Sequence, residues 1–385
     1  MRAWLFALAA CNSVAQTAQP ITNGALDSAD PAVMALVDAE DVVGCSATLI
    51  APHTGVTAAH CLAGRDPRTL RAFFGSSFAD GGTLINVSDA RIDPAFDGAT
   101  LLHDVALITL RDEGPATPLA LDTRTVDTTL INKTVRVVGF GATADGAADT
   151  GIKRTGTARI SDVQPDEIFA VPAPSQPCRG DSGGPALFTD TEIVAVVSHG
   201  DSACVDHAVF ARLDTERDLV DTYIADTAPG TAQTGNPCFY DMHCAEGPCL
   251  QTKDDPLLYF CSRACANDDE CPPAMRCADD GCRYPEPSPG ALGSTCERDD
   301  DCTSQRCYEQ ACTISCFVDA NVCPDGFECV GVGGLTYYCL EKHGCAGCNT
   351  GSPGLAVFIL FWLTRRSARS ASLRGNRATR SAKAR

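Results

Sequence analysis

Eighteen of the chain's 23 cysteines crowd between Cys238 and Cys348, and only Cys11, Cys45, Cys61, Cys178 and Cys204 precede them. A region this dense folds either around metal ions or around disulfides. Paired CxxC motifs at zinc-ribbon spacing are missing and only seven histidines occur, so disulfides are expected, with no metal site and no cofactor. The region also duplicates itself. "GNPCFYDMHCAEGPC" opens one copy and "GSTCERDDDCTSQRC" the next, each copy holding eight cysteines. The gaps between them run 5, 4, 11, 3, 5, 5, 4 and then 5, 4, 4, 3, 6, 5, 9. Modules over 237–290 and 291–344 follow, with four disulfides in each, because so few residues bury too little apolar surface to fold unaided. Eight cysteines allow about 105 pairings, which leaves the connectivity open.

The redox compartment is read from the N-terminus. "MRAWLFALAACNSVAQTAQP" sets one Arg before a short apolar run and then small polar residues, the pattern of an export signal over residues 1–20. Two processing routes stay open. "LAAC" resembles a bacterial lipobox, which would make Cys11 lipid-modified, and Ser13 and Ala15 suit ordinary signal cleavage after Ala15. The formal charge is −19, yet the last 21 residues hold eight Lys/Arg and no acid, so the preceding 364 carry eight units more, −27. A body this acidic repels phosphate, and nucleic acid is excluded as a partner.

From Ile21 to Asp226 the chain alternates short β-like runs with Gly, Pro, Asp and Asn. "VMALVDA", "CSATLIA", "VALITL", "VRVVGFG" and "IVAVVSHG" are the clearest, spaced as antiparallel sandwich or barrel strands rather than βαβ units. Leu213, Leu219, Val220, Tyr223 and Ile224 fall on one helical face, which predicts a helix over Leu213–Ile224. "TAPGTAQTGN", 227–236, reads as a linker.

Chemistry concentrates in three places: "VTAAHC" with His60, "HDVALITL" with Asp104, and "CRGDSGGPAL" with Ser182. A serine hydroxyl is a poor nucleophile until a base takes its proton, and a histidine has the pKa for that work. An acid holding the imidazole's tautomer completes the set; read alone, Asp104 could equally cap a strand. In this order and context the motifs resemble the chymotrypsin-like (trypsin family) serine proteases over Ile21 to Ile224, with "VVGFGAT", "RIDPAF" and the late helix at family positions.

The resemblance implies an all-β fold of two six-stranded antiparallel barrels with a C-terminal helix, over 21–226. It implies His60 as base, Asp104 as orienter, Ser182 as nucleophile, and the Gly180 and Ser182 N–H groups as the oxyanion hole. It further implies bridges Cys45–Cys61 and Cys178–Cys204, and activation when a freed Ile21 pairs with Asp181. Pro20 stands where relatives usually carry Arg, so a trypsin-like activator is not expected to cut there. Counting back from Ser182 puts neutral Gln176 at the base of the primary pocket, with Ser198, His199 and Gly200 as a wall and Ala208 narrowing it. Cleavage after Arg or Lys is therefore not expected, with the nearby Asp201 and Asp206 as the residues that could restore acidity to the pocket.

The cysteine-rich copies loosely resemble Dickkopf- or colipase-like modules, and binding a cell-surface ligand or acting as a stiff stalk both stay open. The tail, 345–385, sets Cys345 and Cys348 before an apolar run, Leu355–Leu363, and a basic block. It resembles the C-terminal sorting tails of myxobacterial surface proteins, which implies an anchor at the cell envelope; a weak single-pass anchor is the alternative. Two functions follow: an exported or surface-anchored serine endopeptidase acting on protein or peptide substrates, or a catalytically silent adhesion protein acting through its cysteine-rich repeats.

Overall fold

The computed structural model describes residues 20–316, 323–333 and 336–342. The export segment with Cys11, the pair Cys345 and Cys348, and the apolar run 355–363 lie outside the described residues. Among the described residues no helix is long and apolar enough to cross a membrane.

Twelve strands build two closed barrels. The first holds β1 (Val33–Val37), β2 (Val43–Ala51), β3 (Thr54–Thr57), β4 (Arg71–Phe74), β5 (Thr83–Ile92) and β6 (Ala106–Leu110). They pair antiparallel in the order β1-β2-β3-β6-β5-β4, and β4 closes back on β1. The second holds β7 (Thr134–Gly139), β8 (Arg154–Val163), β9 (Glu167–Pro172), β10 (Pro185–Leu187), β11 (Glu192–Gly200) and β12 (Ala208–Arg212). Its order is β7-β8-β9-β12-β11-β10, with β10 returning to β7, so the second barrel repeats the topology of the first. Closure leaves neither barrel with a free strand edge.

The strand sequences explain their places. Every residue of "VMALV" and "ALITL" is buried, because each strand faces its own barrel interior on one side and other protein on the other. One core cluster crosses the seam, joining Val33, Val56 and Leu107 of the first barrel to Val138 and Val196 of the second and to Tyr223. Two further clusters fill the separate barrels.

Helix α1 spans Arg217–Asp226, four residues later than the periodicity predicts. Leu213 is buried as expected, but in the bend that follows β12, where its N–H reaches the Val194 carbonyl at 3.2 Å. Asp214 accepts from the Val126 N–H and from Arg212, which pins the chain before it can coil.

The cysteine-rich region is entirely disulfide-built among the described residues. The pairs are Cys238–Cys249, Cys244–Cys261, Cys265–Cys277, Cys271–Cys282, Cys296–Cys307, Cys302–Cys312, Cys316–Cys329 and Cys323–Cys339. In every four consecutive cysteines the first joins the third and the second the fourth. Each copy is thus two successive two-disulfide units, each carrying one short hairpin. Disulfides at this density suit an oxidising, extracellular compartment. The first unit packs on the first barrel, where Tyr240 stacks flat on His53 at 3.8 Å and the Arg111 guanidinium lies 3.4 Å from the Tyr259 ring centre.

Candidate active site

His60 and Asp104 come from the first barrel and Ser182 from the second, meeting at the seam. A 3-10 turn, Ala59–Cys61, follows β3 and carries His60. Cys61 bridges to Cys45 on β2, which fixes the turn against the sheet. Asp104 directly precedes the buried run into β6 and is itself fully buried. Its Oδ1 accepts the His60 backbone N–H at 2.8 Å, and its Oδ2 faces His60 Nδ1 at 2.7 Å. The Ser198 hydroxyl donates to the same Oδ2 at 2.5 Å. Burial alone would raise the Asp104 pKa, but the His60 and Ser198 hydrogen bonds and the charge of His60 outweigh it and hold the carboxyl below its ordinary value.

Ser182 sits in the loop between β9 and β10. Its hydroxyl donates to the Ser198 carbonyl at 3.3 Å, and its own carbonyl accepts the Ser46 N–H at 2.8 Å. Ser46 on β2 does more than pair. Its hydroxyl donates to the Gly180 carbonyl at 2.8 Å and accepts the Phe140 N–H at 3.0 Å, tying the Ser182 loop to both barrels. Gly180 has φ +95°, and a Cβ there would stand 2.9 Å from the Gly141 Cα. Glycine adopts this φ without the strain that a Cβ would bring. Cys178–Cys204 joins this loop to the opposite wall.

Behind the loop Asp181 is fully enclosed. Its oxygens accept the Gly141 and Cys178 N–H groups, each at 2.8 Å. Burial pushes its pKa up to about 7 against those bonds. Ile21 is buried in the second barrel's core with φ +38°, an unusual conformation for a β-branched residue. Next to it Thr22 and Gln176 exchange backbone hydrogen bonds at 3.0 and 3.3 Å.

Two clefts meet at His60 and Ser182. One, of about 510 Å³, is walled by Pro177, Ser198, His199 and Gly200. The other, of about 280 Å³, runs past Leu36, Val42 and Arg65. Gln176 and Ala208 do not line either cleft; both are buried beneath, at 1% and 2% exposure. Gly200 pairs with Ala208 across the sheet. The Gln176 amide Nε2 donates to Asp201 Oδ1 at 2.7 Å and to the His207 carbonyl at 2.8 Å, while Oε1 finds no partner among the described residues. Asp201 also accepts the Val205, Asp206 and His207 N–H groups. Burial would raise its pKa, but these bonds prevail and hold the carboxyl far below the ordinary value.

Sequence reasoning named Ser198 as a wall and missed its hydroxyl on Asp104, and it missed Ser46 altogether. Neither carries a local signal, since each is one small polar residue in a largely apolar strand and its partner comes from another element.

The family model named Trypsin matches residues 23–220, just over half of the chain. A trypsin of Saccharopolyspora erythraea is 25% identical over 186 residues, covering 44% of this chain and 82% of that protein. Trypsin iota of Drosophila melanogaster is 28% identical over 177 residues, 40% of this chain and 68% of that protein. Among solved structures, human heparin binding protein aligns with a TM-score of 0.47 at 20% identity, over 55% of this chain and 99% of that one. With that match laid over both barrels and ahead of the cysteine-rich units, the chain belongs to the trypsin family of serine proteases.

Proposed function

We propose that the chain is an exported serine endopeptidase that hydrolyses peptide bonds through His60, Asp104 and Ser182, by way of an acyl-enzyme. The observation that carries the reading is the bonding of His60 Nδ1 to a buried Asp104, 2.7 Å away, with Ser182 in the cleft that His60 lines. Asp104 keeps the proton on Nδ1, which leaves Nε2 unprotonated as base. Nε2 takes the Ser182 proton as Oγ attacks the peptide carbonyl, then returns it to the leaving amine. A water enters by the same route and releases the acyl group. The Gly180 and Ser182 N–H groups bind the oxygen that becomes negative in each tetrahedral intermediate. A hydrogen bond from Ser182 to His60 forms as substrate displaces the Ser182 hydroxyl from the Ser198 carbonyl.

Activation is proposed to follow release of Ile21, whose ammonium would pair with Asp181. The strained φ of Ile21 and the enclosed Asp181 carboxyl support it. For the residue preceding the cut bond we propose a neutral side chain. Gln176 brings no charge to the pocket base, and Asp201 is already held by three N–H groups and the Gln176 amide. Anchoring at the envelope through the C-terminal tail, or through a lipid on Cys11, completes the proposal, with the cysteine-rich units available to bind a surface ligand.

Labelling of the exported protein with a fluorophosphonate tests the chemistry. Modification at Ser182 that is lost in Ser182→Ala supports the peptidase; no labelling favours the silent adhesion protein. A peptide-library profile dominated by Arg or Lys at the cleaved position would overturn the pocket reading.

A further inference from the structure

Asp181 takes its carboxyl into the interior behind Ser182, and with Pro20 still joined to Ile21 there is no ammonium to meet it. The positive charge whose field acts on it belongs to Arg154, at the start of β8. Arg154 is only 3% exposed. Its Nη1 donates to the carbonyls of Gly141 at 3.1 Å, Asp149 at 2.9 Å and Ile152 at 3.1 Å. Among the described residues the one carboxylate it touches, Asp149, is 3.5 Å away, and its Nε finds no partner. A cation buried on those terms costs stability, and a hydrophobic side chain of similar volume would avoid that cost.

What the buried charge reaches explains its place. The Gly141 carbonyl accepts Arg154, and the N–H of the same residue donates to Asp181. The Ala142 N–H then donates to the Arg179 carbonyl at 2.8 Å, one residue before Gly180. The guanidinium is thus bonded through the Gly141–Ala142 peptide group to the Arg179 carbonyl of the Ser182 loop, and by fixing Gly141 it also fixes the residue whose N–H, one peptide earlier, holds Asp181.

The geometry points to Arg154 as an internal positioning residue that keeps Asp181 and the oxyanion loop in working order while the Pro20–Ile21 bond is intact. The inference rests on the peptidase reading. It adds that the uncut chain is already active, and that cleavage before Ile21 raises this activity rather than creating it. The compensation is partial, because burial still leaves Asp181 titrating at about 7, so a freed Ile21 ammonium has work left to do.

The test replaces Thr17–Pro20 in the full chain with the recognition sequence of a specific processing protease and compares uncut with cut protein. The readout is the rate at which a fluorophosphonate labels Ser182. The uncut protein should label within about tenfold of the cut one, an ordinary coupling between sites. Arg154→Met should slow the uncut protein by about a hundredfold, the usual cost of losing an oxyanion donor. It should slow the cut protein far less, since the Ile21 ammonium then serves Asp181, and Arg154→Lys should fall between. A merely structural Arg154 would slow cut and uncut protein alike, which overturns the inference. Labelling of cut protein alone also overturns it and leaves the triad reading standing. If neither form labels, the peptidase reading fails and the inference with it. The cut and uncut comparison on the unaltered Arg154 decides the matter even if Arg154→Met does not fold.

Discussion

Gly180 shows how one residue's backbone sets the chemistry available to another. Its φ of +95° is a conformation L side chains rarely adopt, and a Cβ there would meet Gly141 at 2.9 Å. If Gly180 serves the proposed oxyanion hole, Gly180→Ala must swing its peptide out of that space, and kcat should fall by about 100- to 1000-fold with the fold retained. Substrate turnover beside a thermal melt of the same variant checks both halves. Ser198 acts on a different quantity. Burial raises the Asp104 pKa, and the Ser198 hydroxyl is one of the bonds that hold it down against that, smaller in effect than His60. A carboxyl lowered on folding adds stability above its ordinary pKa, and that stability is lost as pH falls through the lowered value. Ser198→Ala should therefore shrink the stability difference between neutral and acidic solution; equal pH dependence in the two proteins would refute this role. The three motifs that hold His60, Asp104 and Ser182 were legible because each carries a distinctive neighbour, and the structure brings the three residues to one seam. Ser46 and the Ser198 hydroxyl were not, because their partners lie far off in sequence, and Arg154 was not, because nothing in its own stretch marks it as buried.

Elements were legible where burial on both faces produced a continuous apolar run, as in β1, β6 and β11. The start of α1 was not, since Asp214 accepts from the Val126 N–H, a contact 88 residues distant. The cysteine-rich units were read at twice their period. Their last gap varies from four residues to eleven, which hides the repeat, yet the spacing of five or six, then four or five, between the first three cysteines recurs in all four units. The first-to-third and second-to-fourth pairing makes each unit close on itself, with little core beyond its two bridges. Mild reduction should consequently open residues 238–339 to proteolysis while the barrels, which rest on packed cores, still resist. Mass spectrometry of the fragments reads the order, and early cleavage within 33–212 would contradict it.

At the scale of the whole molecule, a strand order used twice places the seam, and the seam places the site. Strand β6 connects that site to the cysteine-rich units. Asp104 lies just before it and Leu110 ends it, a separation of about 20 Å at the rise of an extended chain. At the Leu110 end the His53 ring lies 3.1 Å from the Leu110 carbonyl and stacks on Tyr240. Tyr240 is 3% exposed, its hydroxyl donates to the Thr227 carbonyl at 2.5 Å, and burial pushes its pKa up to about 12. The first unit is therefore fastened to the barrel at the end remote from the chemistry. Tyr240→Ala should cost about 3 kcal/mol, the usual loss for a buried aromatic truncated to alanine. It should leave the fluorophosphonate labelling rate of Ser182 unchanged, because no bond described at the site passes through that end of the barrel. A labelling rate that falls together with the melting temperature would mean that the units help to shape the site rather than only to carry it.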